Sequence, residues 1–198
     1  LIAGDDASIA WQVDLGSTKS ARSTPVLADV DLDGTTEIVV VYDTEGALNV
    51  DVWSPELTCD ESGWQTGGHS NEAAWSWSDA DVRIGITSPH APTRESNHLS
   101  VTQPLLADLE LDGQPELVLS VVDVNSEDPQ IISIPLGSSA PTAPNWEVIL
   151  DRGTHPSDPA WAQLDDSNTA VVATTIDENS GNMWIWRLDG ATGSNSVG

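Results

Sequence analysis

A short segment recurs along the chain, and this repeat limits the folds that the sequence can adopt. Residues 25–41 read PVLADVDLDGTTEIVVV and residues 104–120 read PLLADLELDGQPELVLS, and the two align without a gap. A third, diverged copy that reads PAWAQLDDSNTAVVATT starts at Pro159. Internal repeats are typical of folds in which one supersecondary unit is stacked several times. The repeat therefore predicts a stack of similar units within one domain.

Each copy starts a unit with the same order of parts. A short apolar run ends in an acidic turn, and a β-branched run, an alternating run and a tryptophan-bearing run follow, as at 37–41, 47–53 and 74–86. Valine, isoleucine, threonine and tryptophan favour strands, whereas the glycine, aspartate, asparagine and proline residues between the runs favour turns. Four short antiparallel strands form the blade of a β-propeller. The sequence therefore predicts an all-β fold, a β-propeller segment of about three four-stranded antiparallel blades that is part of a larger ring.

The predicted blades have unequal lengths, because the first contains an insertion at 54–80. Residues 8–15, which read SIAWQVDL, resemble the fourth strand of a unit, so they would come from a preceding blade or close the last one. Propellers use about four to eight blades, so the chain would be an arc of a larger ring or would meet a second copy. We therefore expect other blades of the same parent chain, or a second copy, as partners. The units are predicted at approximately 16–90, 91–150 and 151–198 of a single domain that covers 1–198.

Two of the acidic turns have the ligand spacing of a loop that wraps a calcium ion. Oxygen-bearing side chains stand at positions one, three, five and nine, Gly34 or Gly113 stands at position six, and position seven would offer its backbone carbonyl. Calcium prefers several carboxylate and carbonyl oxygens, and carboxylates this close repel each other unless a cation neutralises them. The predicted ligands of two calcium ions are Asp29, Asp31, Asp33, Thr35 and Glu37 in the first loop and Asp108, Glu110, Asp112, Gln114 and Glu116 in the second.

Acidic turns can also form without a metal, when their aspartate side chains accept hydrogen bonds from the backbone. This alternative fits the third copy of the repeat better than the first two. In the third copy Gln163 replaces the first aspartate, and the segment at 165–168 is shorter and has no glycine. We therefore expect no calcium in the third loop.

The segments ADVDLDGTTEIVV and ADLELDGQPELVL closely resemble the FG-GAP or VCBS-type repeats of β-propellers, including integrin-α-like domains. The resemblance implies a propeller with calcium in its aspartate-rich loops and, usually, an extracellular binding or adhesion role. Two features depart from these repeats: Glu110 replaces the usual aspartate or asparagine, and the ninth-position glutamates are longer than the common aspartate. The FG and GAP segments are absent, and WRLDGATG also resembles a signature of quinoprotein-like propellers, which have the same architecture.

The chain carries a net charge of −26, from 32 acidic and 6 basic residues. Such a surface repels nucleic acid and anionic lipid, since both are polyanions. It suits divalent cations, basic partners or concentrated salt, although acidic residues also serve simply to keep a surface solvated. No stretch approaches the roughly 18 apolar residues of a membrane-spanning helix. We therefore expect neither nucleic-acid binding nor membrane insertion.

The sequence shows no arrangement typical of a catalytic site. Its four histidines stand at none of the spacings of a zinc enzyme, and a nucleophile elbow and a phosphate-binding loop are both absent. Cys59 lies in the polar segment TCDESGW without an adjacent histidine, which is typical of an exposed thiol rather than a nucleophile. The many carboxylates are explained by calcium and by surface charge. We therefore predict that the chain is not an enzyme.

The insertion is the best candidate for contact with a specific ligand, because long loops on rigid scaffolds commonly hold binding sites. Trp64 and His69 stand there among glycines, and exposed tryptophan stacks on sugars or anchors protein partners. Trp75 and Trp77 would either be exposed as well or belong to a blade strand and pack between sheets, and we favour the strand. Trp64 and His69 are therefore the predicted ligand-binding residues.

These features together predict a non-catalytic, calcium-stabilised binding or adhesion module that is secreted or lies on the surface of a cell, such as a saline or marine microbe. Its ligand would be a glycan or a protein, and calcium would stabilise the fold rather than take part in chemistry. Two alternatives stay open at this point. The chain could be an accessory propeller domain of a secreted polysaccharide-active or quinoprotein-like enzyme, or a structural subunit of an envelope layer or filament.

Overall fold

A computed structural model describes much of the chain from residue 19 onward, and every regular element within the described part is a β-strand. The all-β prediction is therefore confirmed. No helix that could cross a membrane occurs in this part of the chain. The strand predicted at 8–15 lies outside the described residues. These are 19–21, 23–44, 47–54, 57–60, 63–66, 73–83, 103–123, 125–126, 128–153, 155–177 and 180–195.

Short strands follow one another along the chain, and all of their pairings are antiparallel. In chain order they are β1 (Lys19–Ala21), β2 (Val26–Ala28), β3 (Glu37–Thr44), β4 (Ala47–Trp53), β5 (Leu57–Asp60), β6 (Gly63–Thr66), β7 (Trp75–Asp79), β8 (Val82–Arg83), β9 (Leu105–Ala107), β10 (Glu116–Asp123), β11 (Pro129–Pro135), β12 (Trp146–Ile149), β13 (His155–Pro156), β14 (Ala160–Asp165), β15 (Asn168–Ile176) and β16 (Met183–Asp189).

Three larger sheets share one plan. In each sheet a long central strand (β3, β10 or β15) pairs on one side with two short pieces that together form a first strand, and on the other side with a third strand. The first-strand pieces are β1 and β2, β8 and β9, or β13 and β14, and the third strands are β4, β11 and β16. A fourth strand follows in the first two sheets, as β7 and β12, whereas β5 and β6 form a separate hairpin within the predicted insertion. The strand order of the sheets thus repeats with the sequence.

The tryptophan-bearing strand predicted at 74–86 is wrong in its extent. β7 ends at Asp79, and β8 pairs with the end of β10 in the second sheet. The chain turns between the two strands, where the Asp81 backbone amide donates to the Asp79 side chain at 2.8 Å. Aspartate favours turns because its side chain bonds to the backbone two residues on. The first sheet therefore ends near residue 79, and Val82, only 3% exposed, already belongs to the second.

The sheets pack in sequence order, and an apolar core fills each of the two junctions between them. The first and second sheets share one core, which includes Val39 and Val50 against Leu119 and Ile132. The second and third sheets share another, formed by other residues of β10 and β11 against β15 and β16. Successive side chains of a strand point to opposite faces, so the second sheet contributes to both cores. Its two inner strands are therefore buried almost throughout.

One hydrogen bond recurs at both junctions between the sheets. Trp75, the first residue of β7, donates its indole N–H to the carbonyl of Gly137 in the second sheet's unit at 2.8 Å. Trp146, the first residue of β12, donates in the same way to the carbonyl of Gly190 in the third unit at 2.8 Å. An indole N–H needs a partner when its ring is buried. The first residue of each fourth strand therefore helps to fix its sheet against the next one.

Candidate metal centre

The two predicted calcium loops have the same backbone conformation. Each loop joins the last piece of a first strand to the central strand, β2 to β3 or β9 to β10. Left-handed φ values occur at Leu32 (61°) and Gly34 (91°) in the first loop and at Leu111 (59°) and Gly113 (92°) in the second. This region is unfavourable for leucine but open to glycine. The repeated LDG segment therefore forms the same tight bend in both units.

The first aspartate of each loop organises this bend by accepting backbone hydrogen bonds. The Asp29 carboxylate accepts from the backbone amides of Asp33 and Gly34, both at 3.0 Å. In the second loop Asp108 accepts from the equivalent amides, four and five residues on, at 3.0 and 2.9 Å. These are the contacts expected of an acidic turn without a metal, so the loops keep their shape through their own hydrogen bonds.

The ninth residue of each loop is a buried glutamate that reaches back across the bend. Glu37 is 2% exposed and accepts from the backbone amide of Val30 at 2.9 Å. Glu116 is 3% exposed and accepts from the backbone amide of Leu109 at 2.7 Å. Each glutamate opens a central strand and bonds to the second residue of its loop. Its extra length over aspartate is therefore used to close the loop from inside.

The first loop brings three carboxylates together. One carboxylate oxygen from each of Asp29, Asp31 and Glu37 lies within 4.8 Å of the others. Calcium holds its oxygen ligands at about 2.3–2.6 Å, so two ligands of one ion can be up to about 5 Å apart. The three oxygens are therefore close enough to share a single hard cation.

Asp33 and Thr35, the other ligands predicted in the first loop, lie outside this group of three. The Asp33 carboxylate accepts from the hydroxyl of Thr35 at 2.6 Å and from its backbone amide at 2.7 Å. The hydrogen bond from the Thr35 side chain, followed by that from its amide, lowers the pKa of Asp33 below its usual value. The Thr35 hydroxyl also lies 3.1 Å from the second oxygen of Glu37. Thr35 thus connects the exposed edge of the loop to its buried glutamate.

The second loop does not bring three of its carboxylates together in this way; within the described ranges, the cluster of the first loop is the one such group. The Asp112 carboxylate accepts a hydrogen bond from the backbone amide of Gln114 at 2.8 Å, and the side chain of Glu110 is exposed. Gln114 stands where the first loop has threonine, and its side-chain amide donates to the Val30 carbonyl of the first loop at 2.8 Å. The seventh residue of the second loop therefore serves a contact between loops.

Glu116 lies in an environment that disfavours its charge. Burial, the largest cause, raises the pKa of Glu116 to about 7, and the hydrogen bond from the Leu109 amide offsets part of that effect. The nearby carboxylates of Glu110, Asp112 and Asp108 raise the pKa further. A cation in this loop would act in the opposite direction, because an opposite charge favours the ionised form.

The third loop closes as a plain acidic turn. The Asp165 carboxylate accepts from the Ser167 backbone amide at 2.8 Å and from the Asn168 side-chain amide at 2.8 and 2.9 Å. These hydrogen bonds, the Ser167 amide first, lower the pKa of Asp165. Its carboxylate is thus satisfied by neighbours in the turn, as the diverged sequence of this copy suggested.

A solvent-open cleft lies beside the cluster of the first loop. Asp31 and Gln114 line it together with the turn after β11, including Ser138 and Ser139, and its volume is about 310 Å³. A cation held by Asp31 would therefore be reachable by solutes from this side.

The structure tests the predictions for some of the tryptophans near the predicted ligand site but not for others. Trp75 and Trp77 lie in β7, 8% and 9% exposed, within the core between the first two sheets. The interpretation as strand residues that pack between sheets is therefore confirmed for both. Trp64 belongs to β6, but its side chain is not among those described, and His69 lies outside the described residues. The ligand role of these two residues stays a prediction.

The chain matches no protein-family model, no curated protein and no solved structure. The site therefore has to be interpreted from its own residues. The spacing of the repeat predicted the carboxylates of the site but not Ser54, which follows the last residue of β4. The Ser54 hydroxyl donates a hydrogen bond to the Glu37 carboxylate at 3.4 Å. Nothing local in the sequence could have revealed it, because the contact forms only when β4 pairs back onto β3.

Proposed function

We propose that the chain is a non-catalytic binding or adhesion module, built as a segment of a β-propeller and stabilised by calcium. The observation that carries the proposal is the group formed by Asp29, Asp31 and Glu37, whose oxygens lie close enough to share an ion. This group lies in the bend that joins the first two strands of a sheet. An ion there would hold together the ends of two paired strands, which favours a structural role.

The propeller architecture is supported by the way the sheets repeat. The first three strands have the same order in all three larger sheets, the first two sheets add a fourth strand, and the same indole-to-carbonyl hydrogen bond links each sheet to the next. Antiparallel four-stranded sheets packed face to face in chain order are the building plan of propellers. Such scaffolds offer long loops for ligands, and we propose a glycan or a protein as the ligand, bound outside the cell where calcium is abundant.

Calcium is the cation that best fits the donor set. All of the candidate ligands are oxygens, which suit hard cations, and the flexible loop tolerates the irregular coordination of calcium better than the strict octahedron of magnesium. We propose a second, weaker calcium site in the loop of Asp108 and Glu116. That site is weaker because its carboxylates do not come together as those of Asp29, Asp31 and Glu37 do in the first loop.

Thermal unfolding in calcium and in a chelator tests the metal. A ligand present at a hundred times its Kd stabilises the folded state by about 2.7 kcal/mol, which for a chain of this size corresponds to a Tm shift of about 5–10 °C. We expect Asp31→Asn to remove most of this shift. The matched control is Asp165→Asn in the third loop, which should retain it. Identical melting curves with calcium and with chelator would remove the metal from the proposal.

Incubation of the calcium-loaded chain with an array of polysaccharides tests the binding role. A binding module retains a glycan without shortening it, and chelation weakens the retention. Release of shortened products from any of the glycans would show an enzyme instead.

A further inference from the structure

A second solvent-open cleft lies where the second sheet meets the third unit. Its walls are formed mainly by β12, the fourth strand of the second sheet, and by the turn that follows β16. The volume of this cleft is about 500 Å³, which is within the range of roughly 300–1,000 Å³ that is typical of sites for small ligands. It shares no lining residue with the cleft beside Asp31. The β12 cleft is therefore separate from the candidate metal centre.

The turn that forms one wall of the β12 cleft is fixed by backbone hydrogen bonds. The Asp189 carbonyl accepts from the Gly193 amide at 2.8 Å, and the Asp189 amide donates to the Ser194 carbonyl at 2.9 Å. Asn195 follows, and it forms an antiparallel bridge with Leu188 on the edge of β16. A wall that is already rigid loses less conformational entropy when a ligand binds. The side chains of this turn are therefore held in place before any ligand arrives.

A carboxylate orients the two hydroxyl groups of this turn. The Thr192 hydroxyl lies 2.8 Å from the Asp189 carboxylate and 2.9 Å from the Ser194 hydroxyl. At neutral pH an aspartate carboxylate accepts hydrogen bonds and does not donate them, so Thr192 donates its proton to Asp189. Ser194 must then donate its own proton to Thr192, because each hydroxyl has one proton. The Ser194 oxygen is therefore left as an acceptor for a group in the cleft.

The other lining side chains add further polar groups and one apolar contact. Glu147 on β12 has an exposed carboxylate, and Asn195 has an exposed amide that both donates and accepts. Ile149, two residues after Glu147 on β12, is 58% exposed. Ligand sites commonly combine a few placed polar groups with apolar surface. The β12 cleft has this combination.

A buried acceptor beside the β12 cleft lacks a donor. Gln130 on β11 lines the cleft, and 6% of this residue is exposed. Its side-chain oxygen is enclosed and has no hydrogen-bond partner within the described part of the chain. Leaving a buried acceptor without a donor is costly. A hydroxyl group that enters the cleft would remove this cost once the side-chain amide turns towards it.

We propose that the β12 cleft binds a neutral saccharide through the side chains of Glu147, Ser194 and Asn195. The cleft is rich in acceptors, so it favours a ligand that carries many hydroxyl donors, and hydrogen bonds from hydroxyl groups to a carboxylate are among the stronger ones. None of the described residues that line the cleft is basic, and the chain carries a net charge of −26, so anionic sugars are repelled. This inference rests on the proposed function, since it takes the ligand to be a glycan and assigns its site.

Calorimetric titration of the calcium-loaded chain with neutral oligosaccharides of glucose, galactose, mannose and xylose tests the ligand class. We expect at least one of them to bind, with affinity about tenfold lower in Glu147→Gln and about fivefold lower in Ser194→Ala. The matched controls are Asp166→Asn and Ser167→Ala in the exposed third loop, which should bind as the wild type does. Oligogalacturonate and oligoglucosamine, which are anionic and cationic, are the comparison ligands and should bind more weakly.

Three results of this titration would overturn the proposal. They are binding to none of the neutral oligosaccharides, stronger binding of a charged comparison ligand, and equal affinities in the cleft variants and their controls. The proposed function would survive the first result with a protein as its ligand, and the other two with a glycan of another class or at another site.

Backbone amide chemical shifts locate the bound sugar. On titration with the neutral oligosaccharide that binds most tightly, we expect the amides of Glu147 and of residues 192–195 to shift. The amides of Asp31 and Ser138, which line the cleft beside the metal centre, should stay unchanged. Shifts confined to that cleft, or to residues of neither cleft, would refute the assigned site and leave the binding role of the proposed function intact.

Discussion

Glu37 and Glu116 occupy the same position in the repeat and are both buried, yet their neighbours differ. One carboxylate oxygen of Glu37 lies near two hydroxyl groups, those of Thr35 at 3.1 Å and Ser54 at 3.4 Å. The other oxygen accepts a hydrogen bond from the backbone amide of Val30. Glu116 has the backbone amide of Leu109 and a group of like charges nearby. A buried carboxylate is costly unless it is hydrogen-bonded or paired with a cation. In the absence of metal, the charge of Glu116 therefore opposes folding.

This difference predicts a pH dependence for the calcium-free protein. The folded pKa of Glu116 is about 7 against an ordinary value of 4.5, so the folded state holds a proton that the unfolded state has released. Its contribution to the free energy of unfolding therefore falls as pH rises from about 4.5 to about 7 and is constant above that. Glu116→Gln keeps the shape without the charge, and above pH 7 it should stabilise the protein by about 1–3 kcal/mol.

Urea unfolding at a series of pH values in chelator measures this effect. The control is Glu147→Gln on β12, where the side chain is exposed, and its stability should follow that of the wild type throughout. A difference between Glu116→Gln and wild type that does not change between pH 4.5 and 7 would contradict the assigned pKa.

The turn after β16 is the element that holds the third unit against the second. The Gly190 carbonyl accepts the indole N–H of Trp146, and its amide donates to the Thr169 carbonyl at 3.0 Å. Gly193 packs so closely on Trp146 that a Cβ at this position would lie 2.7 Å from the indole ring. Contacts this tight leave no room for a methyl group. Gly193 is therefore required by packing between units as well as by backbone conformation.

Substitutions of two glycines separate the effect of packing on stability from the effect of backbone conformation. Gly193 and Gly181 both have left-handed φ values, 66° and 71°, but a Cβ on Gly181 would contact nothing within 4 Å. Gly181→Ala should cost about 1 kcal/mol for the backbone alone. Gly193→Ala should cost about 1–3 kcal/mol more, because of overpacking. Chemical denaturation of the two variants measures the difference, and equal losses of stability would show that the turn does not pack on Trp146.

At the scale of elements, the sequence predicted what depends on local pattern. The β-branched runs that begin at Glu37 and Glu116 are central strands, and the LDG bends have the left-handed residues that a sharp turn needs. The extent of the tryptophan-bearing strand predicted at 74–86 was wrong, because only a two-residue turn separates β7 from β8 and the two strands look like one run in the sequence. Contacts that join units, such as the one from Gln114 to Val30, have no local signal since they depend on the packing of whole sheets.

The molecule as a whole carries far more negative charge than the candidate metal site accounts for. The net charge is −26, while the acidic cluster of the first loop contains three carboxylates. Among the described residues, an exposed salt bridge joins Arg152 to Asp151 at 4.0 Å. Exposed ion pairs contribute little to stability. The remaining acidic groups repel one another across the surface, which destabilises a compact state.

Salt should therefore stabilise the protein even after its calcium sites are filled. Raising sodium chloride from about 0.1 to about 1 M shortens the Debye length from about 10 to about 3 Å, which screens repulsion between surface carboxylates. We expect the Tm in saturating calcium to rise by several degrees over this range. Tetramethylammonium chloride is the control, because its bulky cation screens charge without fitting a site among carboxylates. Equal gains with both salts indicate screening, a gain with sodium alone indicates specific cation sites, and an unchanged Tm in both would show that surface repulsion does not limit the stability of this fold.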